Sequence, residues 1–300
     1  MDLEICEDGV LVDLLNSNNI KQVKVDLVIG ADGAHSFVRQ KFQNIFSPEV
    51  QVFPWRYVEL KLAASETHLI REYSQNSIHI WSDDDFLCVG IPNQDSTISL
   101  LHLAIMNTEV DRSTWHFLEK ARQNIERTIG DITSLKSLQH CNHIGQLVGV
   151  KCKNWFAHRR VLILGDAAHA VFPFYGQGMN NALQDVYCLV ELLGKYSLQD
   201  ACEKLFQLRR PATTVMFELS EKHFDFLRKQ SRSIYANALY KLDLNLNYRL
   251  PKFWYHEYAT FSNTNIDAVS AYKRLKLQRW LKYTPLYAGM YLYYLMKEIF

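Results

Sequence analysis

Residues 159–185, RRVLILGDAAHAVFPFYGQGMNNALQD, decide how the chain is read. Val161-Leu162-Ile163-Leu164 is an apolar run of the kind expected of a strand covered on both faces. It ends in Gly165-Asp166, and the loop Pro173-Phe174-Tyr175-Gly176-Gln177-Gly178 then leads to a helix expected to begin near Met179 and run through Asp185 to about Leu193. Strand, glycine turn and helix make an α/β unit. The glycines let backbone amides approach a ligand closely, and the helix start adds partial positive charge. Such a site suits a polyhydroxylated chain at Asp166 and a planar anionic group at Gly178, Met179 and Asn180. A ribityl chain and a reduced flavin ring fit that description. On spacing alone, a β–α connection whose Asp166 only caps the next helix fits as well.

A second, weaker unit stands upstream. Residues 23–30, VKVDLVIG, read as one apolar strand that runs into Ala31-Asp32-Gly33-Ala34, with a short helix over residues 35–42. Taken alone, a Gly-x-Asp-Gly turn before a helix is also ordinary turn chemistry. Ahead of it, residues 3–5 and 10–15 read as two strands joined by a turn. Between the two units the character changes. Residues 57–62, 77–81, 86–91 and 97–105 are expected to form an antiparallel sheet, and residues 111–129 a helix with Trp115, Leu118, Ala121, Ile125 and Ile129 on one stripe. The pattern is helical over residues 198–248, and Pro251 marks a break. The fold class is therefore mixed α/β.

Composition excludes several roles. The 300 residues carry 33 Lys+Arg against 32 Asp+Glu, a formal charge of +1, and 48% are hydrophobic. A protein built around nucleic acid would carry a basic excess, and a disordered acidic chain would lack the apolar content. Cys6, Cys88, Cys141, Cys152, Cys188 and Cys202 form no C-x-x-C pair and read as small hydrophobes in a reducing compartment. His140-Cys141-Asn142-His143, with Cys152 nearby, lacks a recognised ligand spacing, so no metal is expected. The opening Met1-Asp2-Leu3-Glu4 has neither the basic nor the apolar region of a signal peptide.

Taken together and in this order, Asp32-Gly33 and Gly165-Asp166 resemble the DG and GD fingerprints of the class A flavoprotein aromatic hydroxylases. The runs at 165–180 (GDAAHAVFPFYGQGMN), 148–156 (VGVKCKNWF), 78–93 (IHIWSDDDFLCVGIPN) and 208–211 (LRRP) narrow this resemblance to the kynurenine 3-monooxygenase family. It implies a partial FAD-binding Rossmann-like domain in residues 1–45 and 150–197, an antiparallel substrate sheet with a helix in 46–149, and a helical C-terminal region in 198–300. It also implies that Asp166 binds the FAD ribityl chain, that Met179 and Asn180 meet the isoalloxazine through their backbone, and that Asp32-Gly33 shapes the cofactor cleft. The implied reaction uses FAD, NADPH and O2 to hydroxylate L-kynurenine to 3-hydroxykynurenine. Water must be kept from such chemistry, and Phe172, Pro173, Phe174 and Tyr175 offer an apolar wall, although ordinary core packing explains them equally well. The cofactor carries the hard step, so no catalytic acid or base is expected. His169 and His35 are read as histidines satisfied by backbone hydrogen bonds.

The resemblance breaks in places. The family's substrate-binding Asn after the LRRP segment aligns with His223, and its Tyr with Tyr255 or Tyr258. The family opens on a strand and a G-x-G-x-x-G turn that holds the FAD pyrophosphate. No such turn precedes Asp32, so this polypeptide is expected to bind FAD weakly or not at all. At the other end, Lys273, Arg274, Lys276, Arg279 and Lys282 precede an uncharged, tyrosine-rich stretch at 283–296. It is shorter than the roughly 20 residues that span a bilayer and suits either an interfacial helix or a packed one. The resemblance implies contact with the mitochondrial outer membrane from the cytosolic face.

Overall fold

The structure, a computed structural model, describes residues 2–16, 19–70, 73–105, 114–129, 144–230, 233–263, 267–281 and 284–299. In chain order, β1 (Leu3–Cys6), β2 (Gly9–Asn16) and β3 (Asn19–Val25) are followed by β4 (Val28–Gly30), α1 (Phe37–Lys41), α2 (Gln43–Phe46) and β5 (Pro48–Leu62). Next come β6 (His79–Ser82), β7 (Phe86–Pro92), β8 (Ile98–Ile105), α3 (Thr114–Ile129), β9 (Gly145–Cys152), β10 (Phe156–Ala157) and β11 (Val161–Ile163). The remainder is helical: α4 (Asp166–His169), α5 (Gly178–Leu193), α6 (Leu198–Gln230), α7 (Ile234–Arg249), α8 (Glu257–Asn263), α9 (Ala268–Leu281) and α10 (Pro285–Ile299).

The chain divides into two compact units, one of residues 1–51, 148–223 and 246–284, the other of residues 52–147, 224–245 and 285–300. In the first, β1, β2 and β3 form an antiparallel meander, while β10, β11 and β4 form a second sheet in which β11 and β4 run parallel. The single strand expected over 23–30 is thus two strands in two sheets. Up to Val25 the chain pairs with β2, and from Val28 it pairs with β11. Arg160 marks the change: its carbonyl accepts the Val28 N–H at 2.9 Å, and its guanidinium donates to the Asp26 carbonyl at 3.4 Å. An apolar run records burial and is blind to such a change of partner. Val161, Leu162 and Ile163 are fully buried in a core that includes Val38, Trp155 and Leu205, as the apolar run predicted.

The second unit carries a five-stranded sheet in the order β6-β7-β8-β5-β9, with β6–β7, β7–β8 and β5–β8 antiparallel, the arrangement expected of this stretch. Ala121 and Ile125 of α3 pack with Phe117 against Val58, Leu60, Phe86 and Leu100. The Trp115 and Ile129 side chains lie outside the described residues. A buried His102 sits in this core, stacked on Phe86 at 5.7 Å.

The tail is packed. The hydroxyl of Tyr287 on α10 is buried and donates to Asp243 Oδ1 at 3.0 Å within the second unit. In the first unit Arg279 pairs with Glu257 at 2.8 Å, and Arg274 and Lys276 lie 4.5 Å from the rings of Tyr255 and Tyr272. These cations are therefore already engaged by protein groups. Among the described residues no helix is long and apolar enough to cross a membrane. Lys282 and Tyr283 lie outside the described residues, as do the His140 to His143 cluster and Cys141.

Gly30 closes β4 where α1 comes nearest. A Cβ there would stand 2.8 Å from Val38 Cβ, closer than real side chains approach, and 3.1 Å from Ile163 Cγ2, a tight contact. Gly30→Ala is expected to destabilise the protein by about 1–3 kcal/mol through overpacking, read as a lower urea midpoint with an unchanged m-value.

Candidate cofactor site

Parallel pairing brings the two turns together. Val28, Ile29 and Gly30 lie opposite Val161, Leu162 and Ile163, and the Leu164 N–H donates to the Gly30 carbonyl at 2.9 Å. Both strands therefore deliver their turns at one edge of the sheet, Asp32-Gly33 from β4 and Gly165-Asp166 from β11. Carboxyl ends of adjacent parallel strands are where open α/β sheets place ligands. Gly33 has φ +80°, a backbone that favours glycine, and its carbonyl accepts the Ser36 N–H at 3.0 Å. Asp32 Oδ2 accepts the Val38 N–H at 3.1 Å, so this carboxylate also supports the start of α1.

A buried arginine that was not predicted as a site residue ties the turns. Arg39 is 3% exposed and donates from Nη1 to the Ala167 carbonyl at 2.8 Å and from Nη2 to the Ala34 carbonyl at 2.6 Å. One guanidinium thus fixes both turns by their main chains.

Around Gly165 the geometry is equally constrained. Gly165 has φ +56°, and a Cβ there would lie 3.0 Å from Ala182 Cβ on α5. Asp166 follows as the first residue of α4. Gly165 is the cap of α4 and Gln177 that of α5, so Asp166 caps neither. It is exposed, and its carboxylate has no hydrogen bond or ion pair among the described residues. At α5, Gln177 makes no side-chain capping bond, and Met179 and Asn180 are exposed. The Asn180 side chain donates to Gln177 Oε1 at 3.0 Å.

Behind this edge lies Asp185, fully buried. Its Oδ1 accepts Arg209 Nε–H at 2.8 Å, and its Oδ2 meets His169 Nε2 at 2.5 Å and the Gly165 N–H at 3.2 Å. Burial pushes the Asp185 carboxyl up, but His169 and Arg209 together outweigh it and leave it below the ordinary carboxylate range. His169 is therefore satisfied by a carboxylate rather than by backbone groups, a correction to the expectation. His35 is exposed. Asp185 and Arg209 stood in the quoted runs, yet spacing gave no hint that they meet.

The residues expected to touch substrate fall in the same unit. His223 is buried, stacks on Tyr258 with ring centres 5.2 Å apart, and lies 4.8 Å from the Tyr175 ring. Tyr255 stands elsewhere: its backbone is held by Gln278 at 2.8 and 3.0 Å, and its ring carries Arg274. Of the two tyrosines, Tyr258 is the one brought to His223. Phe172, Phe174 and Tyr175 are buried, with Phe172 5.5 Å from Phe217, whereas Pro173 is exposed.

Residues 6–207 match a protein family described as an FAD binding domain. The chain belongs to this FAD-binding domain family. It is 32% identical over 266 residues to a kynurenine 3-monooxygenase of Salinispora arenicola, covering 85% of this chain and 58% of that protein. A kynurenine 3-monooxygenase of Drosophila willistoni is 28% identical, covering 82% of this chain and 54% of that one. The chain thus spans little more than half the length of these relatives. Klebsiella pneumoniae HpxO, solved with FAD and uric acid, superposes with a TM-score of 0.60 at 16% identity, covering 83% of this chain and 63% of that one; this likeness is one of fold.

The edge fits the flavin half of FAD. This FAD-binding domain offers a free carboxylate at Asp166, uncapped amides at the start of α5, and the left-handed glycines Gly165 and Gly176 beside them. Arg209 and His223 lie beyond the family match.

Two outcomes follow from the charges. Arg209→Ala leaves Asp185 buried without the arginine that compensates its charge and is expected to cost about 3–5 kcal/mol in urea unfolding, with Arg209→Lys recovering only part. Burial, aided by His256, pulls His223 from 6.5 down to about 4, and burial pulls His102 down to about 3. The unfolded chain then binds protons first, so the thermal midpoint should fall as pH drops from 6.5 towards 4. His223→Asn should flatten that dependence without abolishing it, because His102 remains.

Proposed function

We propose that this chain serves FAD- and NADPH-dependent hydroxylation of an aromatic substrate by O2, with L-kynurenine as substrate and 3-hydroxykynurenine as product. The observation that carries this reading is the meeting of Asp32-Gly33 and Gly165-Asp166 on one sheet edge, in a member of the FAD-binding domain family whose relatives are named kynurenine 3-monooxygenase. In this reading FAD supplies the redox and oxygen-activating chemistry when bound. Asp166 accepts hydrogen bonds from the ribityl hydroxyls, the backbone N–H groups of Met179 and Asn180 donate to the isoalloxazine edge, and Asp32-Gly33 borders the cleft. His223 is neutral at physiological pH and, with Tyr258 stacked on it, faces a substrate carboxylate as a polar but uncharged group. Phe172 and Phe174 keep the interior beside the loop dry.

A second reading, hydroxylation of another aromatic acid, draws on the buried His223 where the family's pattern has Asn. The substrate-contacting group is then a ring stacked on Tyr258, with a different reach and a single donor.

Flavin fluorescence during titration of the purified protein with FAD should be quenched saturably, and Asp166→Ala should weaken binding at least tenfold, as expected for loss of a charge-assisted hydrogen bond. NADPH consumption with L-kynurenine should be matched by 3-hydroxykynurenine in mass spectra. Product from another aromatic acid but none from L-kynurenine would select the second reading. Hydroxylated product from neither, with FAD in excess, would refute both.

A further inference from the structure

A pocket of about 160 Å³ opens within the first unit, lined by none of the residues assigned to flavin. Lys151, Lys153 and Arg210 contribute three cations to its wall. Against them stands a single carboxylate, Glu49, 3.5 Å from Lys151 Nζ and 4.0 Å from Lys153 Nζ. Arg210 lies 5.4 Å from the centre of the Phe206 ring and has no carboxylate partner among the described residues. Two positive charges are thus in excess. Trp155, on the same wall, is 1% exposed, and its indole N–H has no hydrogen-bond partner among the described residues. A buried donor without an acceptor carries an unmet desolvation cost.

The chemistry of the wall selects the ligand. A cation is opposed by the charge excess, and an apolar molecule leaves the indole N–H unmet. The Cys152 thiol on the same wall is pushed up to about 12 by burial, so no thiolate is offered for a metal or for covalent chemistry. Lys and Arg beside a lone N–H donor are a phosphate-binding set. We propose that this pocket binds a phosphate group, held by Lys151, Lys153 and Arg210 beside the Trp155 indole. His169 also lines the pocket, and its Nε2 meets the same Asp185 oxygen that accepts the Gly165 N–H. The pocket wall is thus linked, through His169 and Asp185, to the turn that carries Asp166. Nothing in this site depends on the flavin reading.

Titration with inorganic phosphate at constant ionic strength tests it, followed through the Trp155 indole N–H resonance, which Trp155→Phe identifies by its disappearance. The resonance should shift saturably with phosphate and not with matched chloride. Arg210→Gln and Lys153→Gln should each weaken the binding about tenfold. Lys153 is exposed, so its variant retains the fold. Competition distinguishes the source: displacement by NADPH but not NADH marks a nucleotide 2′-phosphate, displacement by both marks a nucleotide pyrophosphate, and displacement by neither marks the free ion. A shift that fails to saturate, or one that saturates equally in both variants, overturns the assignment.

Discussion

Parallel pairing of β4 with β11 is the constraint on which the rest depends. Parallel strands cannot be joined by a tight turn, so the intervening chain must leave the sheet and return. Here it leaves after Gly30 and comes back at Val161, and the excursion includes the whole antiparallel sheet of the second unit. Because both strands point the same way, both turns emerge at the same edge. A backbone bond from Leu164 to Gly30 continues the register to the mouth of the turns, and any slip would separate Asp32 from Asp166.

Two buried charged groups hold what the pairing brings together. Arg39 spans from one turn to the other by its guanidinium fork, while Asp185 on α5 gathers the Gly165 N–H, His169 of α4 and Arg209 of α6. Charges removed from water are stabilised only when their bonding capacity is met, and the surrounding dry core strengthens each bond. The network therefore positions the turn geometrically even where its net contribution to stability is small.

Much of this was legible in the residues, for reasons that also mark its limits. Val161 to Leu164 announced a covered strand because burial on both faces demands an unbroken apolar run. The glycines of the turns were legible because left-handed backbone and close approach to Ala182 admit little else. Residues 23–30 misled, because hydrophobicity records that a segment is buried and not which strand it pairs with. Arg39, Asp185 and Arg209 carried no signal of their roles, since a polar residue's partners are set by the tertiary fold. His169 illustrates the same point, its ring satisfied by a carboxylate brought from the next helix. The choice between Tyr255 and Tyr258 was likewise a question of packing, and stacking on His223 answered it for position though not for chemistry.

The clamp at Arg39 has a consequence for how such a turn can drift over evolution. Its two acceptors are main-chain carbonyls, at Ala34 and Ala167, so exchanging either alanine for another small residue leaves the acceptors where they were. Adding or removing a residue in either turn would move a carbonyl by a peptide's length, beyond the reach of a rigid planar donor. The segment is thus permissive of spelling and strict about length.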